Sequence, residues 1–308
     1  MKLLPVAVAI CAGLVFGHAS SSAVSSCQAK MTAFPIDPVS KCCTHGPKYK
    51  MVAGVTAQVD QHPWAALIDY ELKKGGKKPL CSGTLISGRY VLTGAHCVVG
   101  QVEDVGTPTS VRLGEFDFNH EGPDCKIEAD SNSYCTEGAV SIEVETTTPH
   151  PKYAYPNHPS KWNDIALVRL KKTAPYTDFI RPICLPTRNP ETNPPDQSLY
   201  VVSWHQKTGN GIKSLYEVPF VNQEKCKLIY NKRKVVLAEG QLCAGGLEGN
   251  DACKGDGGGP LVYENNEGLV ELFGIVSFGP NPCGQKDFPS VYTNVYVYLD
   301  WIKTVIAE

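Results

Sequence analysis

The sequence predicts an all-β fold, because its apolar segments are short and are separated by turn residues. Residues 64–68 and 271–277 are two such segments, and both are bounded by Gly, Pro or Asn. Many short strands joined by turn residues are typical of a sandwich or a barrel. The sequence has no internal repeat, so a single packed architecture is expected rather than an array.

The C-terminal end departs from this β pattern. Tyr298, Trp301, Ile302, Val305 and Ile306 recur at the spacing of one helical face. We therefore expect a C-terminal helix whose apolar face packs on the β core.

The amino terminus has the form of a secretory signal peptide. Lys2 precedes an apolar run at residues 3–16, and the small residues up to Ala19 offer a cleavage site. The run is too short to span a bilayer, and no later stretch is long and apolar enough. We expect removal of residues 1–19 and a secreted, extracellular protein that does not use a membrane as a partner.

Composition and cysteine content agree with secretion. The 308 residues are 42% hydrophobic, which suits one or two core-bearing units, and the net charge of −2 does not indicate a nucleic-acid partner. Thirteen cysteines are present, and Cys11 leaves with the signal peptide, so twelve remain. An even number in a secreted chain indicates disulfides, although spacing alone leaves the pairing open. A metal site is disfavoured because no paired Cys-x-x-Cys motif or Cys/His cluster occurs.

The remaining chain divides into two parts. Residues 20–50 are Ser-rich, interrupted by prolines and too few to bury a core, so they are predicted to form a short cysteine-containing pro-segment. Residues 51–308 are the main domain. Within it, residues 186–195 contain four prolines and are predicted to connect two halves of the domain.

Three motifs in the main domain carry chemistry. Residues 93–97 read Thr-Gly-Ala-His-Cys, residues 163–167 read Asn-Asp-Ile-Ala-Leu, and residues 253–260 read Cys-Lys-Gly-Asp-Gly-Gly-Gly-Pro. In this order they resemble the segments of chymotrypsin/trypsin-like serine proteases that carry the base, the orienting acid and the nucleophile. The resemblance covers about residues 51–308. It implies two six-stranded antiparallel Greek-key barrels, joined by residues 186–195, with a C-terminal helix.

The resemblance implies a catalytic triad that lacks its nucleophile. His96 takes the place of the general base and Asp164 the place of the acid that fixes its tautomer. Gly257 stands where the family has serine, and it has no hydroxyl to attack a carbonyl. The backbone N–H groups of Gly255 and Gly257 could still form an oxyanion hole. We therefore expect a protein without peptidase activity.

The same resemblance places a specificity pocket near Gly257. Asp251 stands where trypsin-like enzymes have the acid that pairs with substrate Arg or Lys. Ser277 and Gly279 belong to the pocket and to the edge that pairs with substrate backbone. Ser290 replaces a glycine that lines the pocket, so its side chain is expected to narrow the pocket.

Lys50-Met51 resembles the activation cleavage site of the family. Cleavage after Lys50 would free the Met51 ammonium, which in the family inserts and pairs with the acid before the nucleophile, here Asp256. The alternative is that Lys50 is an ordinary loop lysine.

The resemblance also suggests how the twelve cysteines pair. The expected bonds are Cys81–Cys97, Cys125–Cys135, Cys226–Cys243, Cys253–Cys283, Cys43–Cys184 and Cys27–Cys42. Cys125–Cys135 resembles an extra surface bridge of arthropod clip-type proteases. The clip domain itself is incomplete, because only three cysteines of the pro-segment precede the main domain.

Three further segments are candidate binding sites. Glu115 and Asp117 lie where relatives have a calcium loop, and their oxygens suit Ca²⁺, although two solvated acids are the alternative. No other cofactor is expected. Basic residues at 73–78 and at 232–234 are candidates for binding a partner or a polyanion, with a solvated surface as the alternative.

These observations favour a secreted serine protease homologue that acts as a non-catalytic adaptor or regulator. The likeness to clip-type proteases suggests an extracellular cascade of innate immunity and melanisation. The expected partners are an upstream Lys/Arg-specific protease and a component of that cascade. The alternatives are a residual serine-type endopeptidase with Lys/Arg preference and a ligand-binding pseudoprotease of venom or reproductive fluid.

Overall fold

The computed structural model describes residues 26–36, 38–40, 42–43, 57, 59–127, 133–153, 160–204, 211–249, 251–253, 255–266 and 268–308. The predicted signal peptide and the Lys50-Met51 site lie outside the described residues. Within the described part of the chain, no helix is long and apolar enough to cross a membrane.

Fifteen strands build the described part of the molecule. They are β1 (Ala65–Leu72), β2 (Lys77–Leu85), β3 (Tyr90–Thr93), β4 (Gly106–Leu113), β5 (Cys125–Ile127), β6 (Ser133–Cys135), β7 (Val140–Pro149), β8 (Ala166–Leu170), β9 (Leu199–Ser203), β10 (Ser214–Val218), β11 (Phe220–Val221), β12 (Gln241–Gly245), β13 (Pro260–Glu264), β14 (Val270–Phe278) and β15 (Pro289–Asn294). Each pair of neighbouring strands is antiparallel, in agreement with the predicted antiparallel barrels.

The first half is a closed barrel of six strands in the order β1-β2-β3-β8-β7-β4. Its interior holds large apolar side chains such as Leu67, Leu92 and Val111, all of which are fully buried. Strands β5 and β6 form a separate two-stranded ribbon that Cys125–Cys135 closes. This half matches the predicted six-stranded barrel.

The second half is a sheet in the order β10-β9-β13-β14-β15-β12-β11. It has seven strands rather than six because Pro219 interrupts one segment, which is thereby divided into β10 and β11. Proline has no N–H to donate to a ladder. Strand β10 pairs with β9 and β11 pairs with β12, so residues 214–221 join both ends of the sheet. The second barrel is therefore present, with one strand broken in the middle.

Helices are few and short. Among the described residues they include α1 (Gln101–Val105), α2 (Gln223–Asn231) and α3 (Leu299–Ala307), with 3₁₀ turns at Pro38–Ser40, Ala95–Cys97 and Val295–Tyr298. Helix α3 confirms the predicted C-terminal helix. It buries Ile302 and Ile306 in a core cluster that also contains the first-barrel residues Leu67 and Val168.

Six disulfides bridge the chain. They are Cys27–Cys42, Cys43–Cys184, Cys81–Cys97, Cys125–Cys135, Cys226–Cys243 and Cys253–Cys283. These are the six pairs that the family resemblance suggests. Disulfides of this number fit a chain that folds in an oxidising compartment.

The described part of the pro-segment packs against the first barrel. Met31 is buried there, and the Gln28 side chain accepts a hydrogen bond from the Tyr176 backbone N–H at 2.6 Å. Gly88 makes this approach possible, because a Cβ at Gly88 would lie 2.7 Å from the Met31 carbonyl. Cys43–Cys184 adds a covalent link over 141 residues of sequence.

Candidate functional site

Pairing of β3 with β8 brings the first two motifs together. Thr93 pairs with Ala166, so the residues just after β3 and just before β8 meet at one end of the barrel. His96 Nδ1 lies 2.8 Å from Asp164 Oδ2, and the His96 backbone N–H donates to Asp164 Oδ1 at 2.9 Å. Two contacts to one carboxylate hold the imidazole in a defined orientation, with Nδ1 directed at the acid.

Asp164 is buried and ionised. Burial opposes the charge, but His96, Lys161 and the Ser277 hydroxyl outweigh burial and hold the Asp164 pKa below its usual range. The Ser277 hydroxyl donates to Asp164 Oδ2 at 2.5 Å. Sequence analysis assigned Ser277 to the specificity pocket, which stays a prediction, and it did not anticipate this contact of the hydroxyl with the acid. The hydroxyl faces the acid because β14 runs past the end of β8.

Gly257 lies in the loop between β12 and β13 of the second half. The Ser82 N–H of β2 donates to the Gly257 carbonyl at 2.9 Å, and the Gly258 N–H donates to the Val276 carbonyl of β14 at 2.9 Å. The loop therefore bridges both sheets and presents position 257 to His96.

The imidazole of His96 fills the space beside Gly257. A Cβ built on Gly257 would lie 2.6 Å from His96 Nε2, and the nearest atoms to it all belong to His96. A real Cβ does not approach another atom so closely, and the ring is held by Asp164. Any side chain at position 257 therefore requires the ring to withdraw.

The backbone near Gly257 keeps two donors free. Gly255 has a φ of +103°, which favours glycine. In the described part of the chain, neither Gly255 nor Gly257 donates its N–H to a hydrogen bond, whereas Gly258 and Gly259 both do. These two N–H groups could still donate hydrogen bonds to an oxyanion.

The Ser290 side chain occupies part of the predicted specificity pocket. Asp251 has 1% of its surface exposed, and its Oδ1 accepts from the Ala252 N–H at 2.8 Å. The Ser290 hydroxyl lies next to Gly279, where a Cβ would collide with it. The space between these two residues is therefore narrow.

Several polar atoms lie buried close together in this region. They are Asp251 Oδ2, Ser290 Oγ and Tyr292 Oη, and Asp251 Oδ2 has no hydrogen-bond partner of good geometry among the described residues. Burial raises the pKa of the Asp251 carboxyl to about 6, and the Ser290 hydroxyl and the Ala252 N–H offset only part of this.

Asp256 is fully buried beside Gly257. Its Oδ2 accepts from the Cys253 N–H at 2.8 Å, and its Oδ1 accepts from the Ser203 hydroxyl. Met51, the predicted ion-pair partner, lies outside the described residues. The carboxylate that would receive a new amino terminus is thus already hydrogen-bonded at both oxygens.

Lys161 lies at the edge of the cleft and was missed by sequence analysis. Its Nζ donates to the Ser277 carbonyl at 3.3 Å. Burial lowers the pKa of Lys161, while the nearby Asp164 carboxylate opposes this shift. The amine therefore covers part of the strand edge that the family resemblance reserves for substrate backbone. Lys161 stands outside the recognised motif, and only its position three residues before Asp164 could have indicated it.

The calcium prediction for Glu115 and Asp117 does not fit the structure. Glu115 Oε2 pairs with the Arg112 guanidinium at 3.0 Å, and its Oε1 accepts from the Phe116 N–H at 3.0 Å. Asp117 Oδ1 accepts from the Asn119 N–H at 3.0 Å. The two acids are used separately, so they do not offer a shared set of oxygens to Ca²⁺.

A buried lysine adds positive charge to the same region. Lys213 is 2% exposed, and burial lowers its pKa to about 8 against the opposing charges of Glu115, Asp60 and Asp124. Sequence analysis missed Lys213 because it lies 98 positions from Glu115 in the sequence. The charge of Lys213 offsets the charges of Glu115, Asp60 and Asp124, so these acids do not require a metal ion for charge balance.

Among the described residues, the one close group of potential metal ligands is Cys81, His96 and Cys97. Both cysteines are joined in a disulfide, so they have no thiolate to offer a metal. We therefore assign no metal to the site.

The fold and the His96–Asp164 arrangement define the class of this protein. The Trypsin family model matches residues 51–302, and the chain belongs to the trypsin family. Its relatives place it in the clip-type group. It is 46% identical over 298 residues to "Phenoloxidase-activating enzyme" of Bombyx mori, covering 92% of this chain and 67% of the relative.

Two further relatives support the same group. "Melanization protease 1" of Drosophila melanogaster is 39% identical over 274 residues, covering 86% of this chain and 68% of the relative. The solved structure of the Drosophila Grass clip serine protease of the Toll pathway is 31% identical, with a TM-score of 0.70. That match covers 86% of this chain and 74% of the other.

Proposed function

We propose that this protein is a secreted, non-catalytic serine protease homologue that works as an adaptor or regulator in an extracellular protease cascade. The observation that carries the proposal is the contact between Gly257 and His96. The base and its orienting acid are present, but the position of the nucleophile has no side chain and its space is filled by the imidazole. Acyl transfer by a serine-type mechanism requires a hydroxyl at this point.

The narrowed pocket supports the same proposal independently of Gly257. The Ser290 hydroxyl beside Gly279 and the burial of Asp251 oppose entry of a Lys or Arg side chain. Lys161 covers the adjoining strand edge. Three separate features therefore oppose productive substrate binding, which argues against the alternative of a residual endopeptidase.

A substitute nucleophile is also disfavoured near His96. The three atoms nearest to a Cβ at Gly257 all belong to the imidazole itself. The neighbouring thiols of Cys81 and Cys97 are consumed in a disulfide. The endopeptidase alternative therefore requires a nucleophile other than residue 257, and the Cys81–Cys97 disulfide does not supply one.

The proposed setting is innate immunity. Relatives carry the names phenoloxidase-activating enzyme and melanization protease, and this chain resembles them over most of its length. We infer that it works in a cascade of the same kind, outside the cell, where six disulfides are stable. Its proposed partners are an upstream protease that cuts after Lys50 and a downstream component of the cascade.

The proposed regulation uses Lys50 and Asp256. Cutting after Lys50 would release the Met51 ammonium, and its insertion beside Asp256 would have to displace the hydrogen bond from Ser203. Such an exchange would reorder the loop around Gly257 without any chemistry. Cys43–Cys184 would keep the two pieces together after the cut.

Depletion and add-back test the adaptor role. Plasma of the source animal is depleted of the protein with an antibody, and phenoloxidase activity is measured after an immune elicitor. We expect phenoloxidase activity to fall on depletion. Add-back of the wild-type protein should restore this activity, although a fluorophosphonate does not label the added protein. Full activity in the depleted plasma would contradict the proposal.

A further inference from the structure

Helix α2 and the turn after it carry an unusual density of positive charge. Lys225, Lys227, Lys232, Arg233 and Lys234 lie within ten residues, and the exposed Leu228 lies among them. We call these six residues the α2 surface. It lies on the second half of the molecule, and none of its members belongs to the triad or the pocket.

The cations of the α2 surface are not neutralised by neighbouring acids. Among the described residues, none of the five takes part in an ion pair. In the first barrel, Arg112 pairs with Asp69 at 2.9 Å and Lys171 pairs with Glu143 at 2.6 Å, whereas Lys73 and Lys74 at the turn after β1 take part in no ion pair among the described residues. The α2 surface therefore projects a positive field into solvent.

Two acids lie near these cations, and both have other roles. Glu224 lies in the first turn of α2, where its charge complements the helix dipole. Glu191 feels the charge of Lys227, and its Oε2 accepts from the Gln223 N–H at 3.3 Å. A helix dipole also favours Lys232 at the C-terminal end, but it does not account for Lys225 or Lys227.

Helical spacing places an apolar side chain between charges. Lys225, Leu228 and Lys232 are separated by three and four positions, so they share one face of α2. The opposite face is buried through Cys226 and Tyr230. Leu228 is 67% exposed, so its side chain is available to a ligand that lies between the cations.

The α2 surface is held rigidly. Cys226–Cys243 links the helix to β12, and the Tyr230 hydroxyl donates to the Pro289 carbonyl at 2.7 Å. The Arg233 guanidinium stacks over the Phe288 ring at 4.9 Å. A ligand would therefore meet a surface that requires little ordering on binding.

We propose that the α2 surface binds an acidic polypeptide segment that carries an aromatic or apolar side chain. Carboxylates of the segment pair with the unpaired cations, and its apolar side chain packs on Leu228. A sulfated polysaccharide would satisfy the charges but would leave Leu228 exposed, so a polypeptide is favoured. The biological role of the α2 surface rests on the proposed adaptor function, because a non-catalytic adaptor needs a docking site outside the cleft around His96.

Three probes separate these ligand classes. They are a random Glu/Tyr copolymer, poly-glutamate of the same length, and heparin, each fluorescently labelled and titrated at two salt concentrations. We expect the Glu/Tyr copolymer to bind more tightly than poly-glutamate, and binding of both to weaken as salt rises. The intact full-length chain is used throughout.

Matched variants locate the site. K225E/K232E is expected to weaken copolymer binding about tenfold, and Leu228→Ser about threefold with little effect on poly-glutamate. The control is K73E/K74E, which makes the same charge change at the turn between β1 and β2 and is expected to stay within about twofold of wild type. The altered side chains of α2 are exposed or on the exposed face, and thermal melting checks that each variant folds.

Several results would overturn the inference. Heparin binding that is as tight as copolymer binding, together with no effect of Leu228→Ser, would identify a polysaccharide site instead. Equal losses for K225E/K232E and K73E/K74E would show unspecific charge attraction, and no binding of the copolymer would exclude the site. Since these titrations do not involve the cascade, normal copolymer binding with a failed plasma add-back would count against the adaptor function alone.

Discussion

His96 and Gly257 are in contact where the family has a hydrogen bond between base and nucleophile. His96 Nε2 lies 2.6 Å from the position that a Cβ of residue 257 would occupy, while its Nδ1 remains 2.8 Å from Asp164. The ring has therefore kept its orienting acid and taken up the room of the missing side chain. A side chain could therefore not be added at position 257 without moving the ring.

The first prediction concerns inactivity. Wild-type protein, intact or cut after Lys50, is expected to show no labelling by a fluorophosphonate and no turnover of Arg or Lys esters. Removing the nucleophile from a triad costs on the order of 10⁶ in turnover. In-gel fluorescence with an active clip-type protease as positive control provides the measurement. A covalent adduct on any residue of the cleft would contradict the prediction.

The second prediction concerns repair. Gly257→Ser alone is expected to restore weak or no trypsin-like activity, because His96 must withdraw and the Ser290 side chain still narrows the pocket. Adding Ser290→Gly removes that side chain, and a gain of about 1.4 kcal/mol in transition-state binding would make the double variant about tenfold faster. Ester hydrolysis compares the two, with Ser290→Gly alone as the inactive control. Equal rates would mean that Ser290 does not obstruct the pocket.

The sequence predicted the triad positions because each lies in a contiguous motif. His96 and Asp164 meet as a direct result of the pairing of β3 with β8, and family resemblance was enough to expect it. Likewise, Ser290 against Gly279 follows from one substitution in a recognisable segment. A contiguous motif predicts the position of a site residue because the catalytic chemistry requires a particular residue in a particular local backbone conformation.

Contacts between distant segments could not be predicted in the same way. Ser277 reaches Asp164 across 113 residues, and Lys161 reaches the Ser277 carbonyl across 116. Glu115 was read as a calcium ligand because the cations Arg112 and Lys213 become its neighbours only in the fold. In the second barrel, the break between β10 and β11 depends on Pro219 within an otherwise continuous strand. Motif spacing contains no information on any of these.

The third prediction concerns pH and Asp251. Burial raises its pKa to about 6 in the folded protein, above the ordinary value of an Asp carboxyl, so the folded state favours the protonated form more than the unfolded chain does. A raised carboxyl pKa gives stability that is fully present below about pH 4 and is lost as pH rises through about 6. Asp251→Asn should therefore stabilise the protein at pH 8, by up to about 3 kcal/mol, and have little effect at pH 4.

Thermal melting at pH 4 and pH 8 measures this difference. The exposed substitution Glu137→Gln is the matched control and should leave the pH dependence unchanged. A stabilisation by Asp251→Asn that is equal at both pH values would show that the gain is not due to the buried charge.

The fourth prediction concerns regulation by cleavage. A protease with Lys/Arg preference should cut after Lys50, and the two pieces should separate on a gel only after reduction, because Cys43–Cys184 joins them. Insertion of the Met51 ammonium beside Asp256 should then raise partner affinity about 5- to 150-fold, the range of a coupling of about 1–3 kcal/mol.

Two variants test this regulation. Lys50→Gln should block cutting. Asp256→Asn should allow cutting but abolish the gain, because the neutral amide cannot pair with the ammonium although it can still accept from Ser203. Titration of a cascade component against intact, cut and cut Asp256→Asn protein measures the effect, and identical affinities for all three would mean that the Lys50-Met51 site has no regulatory role.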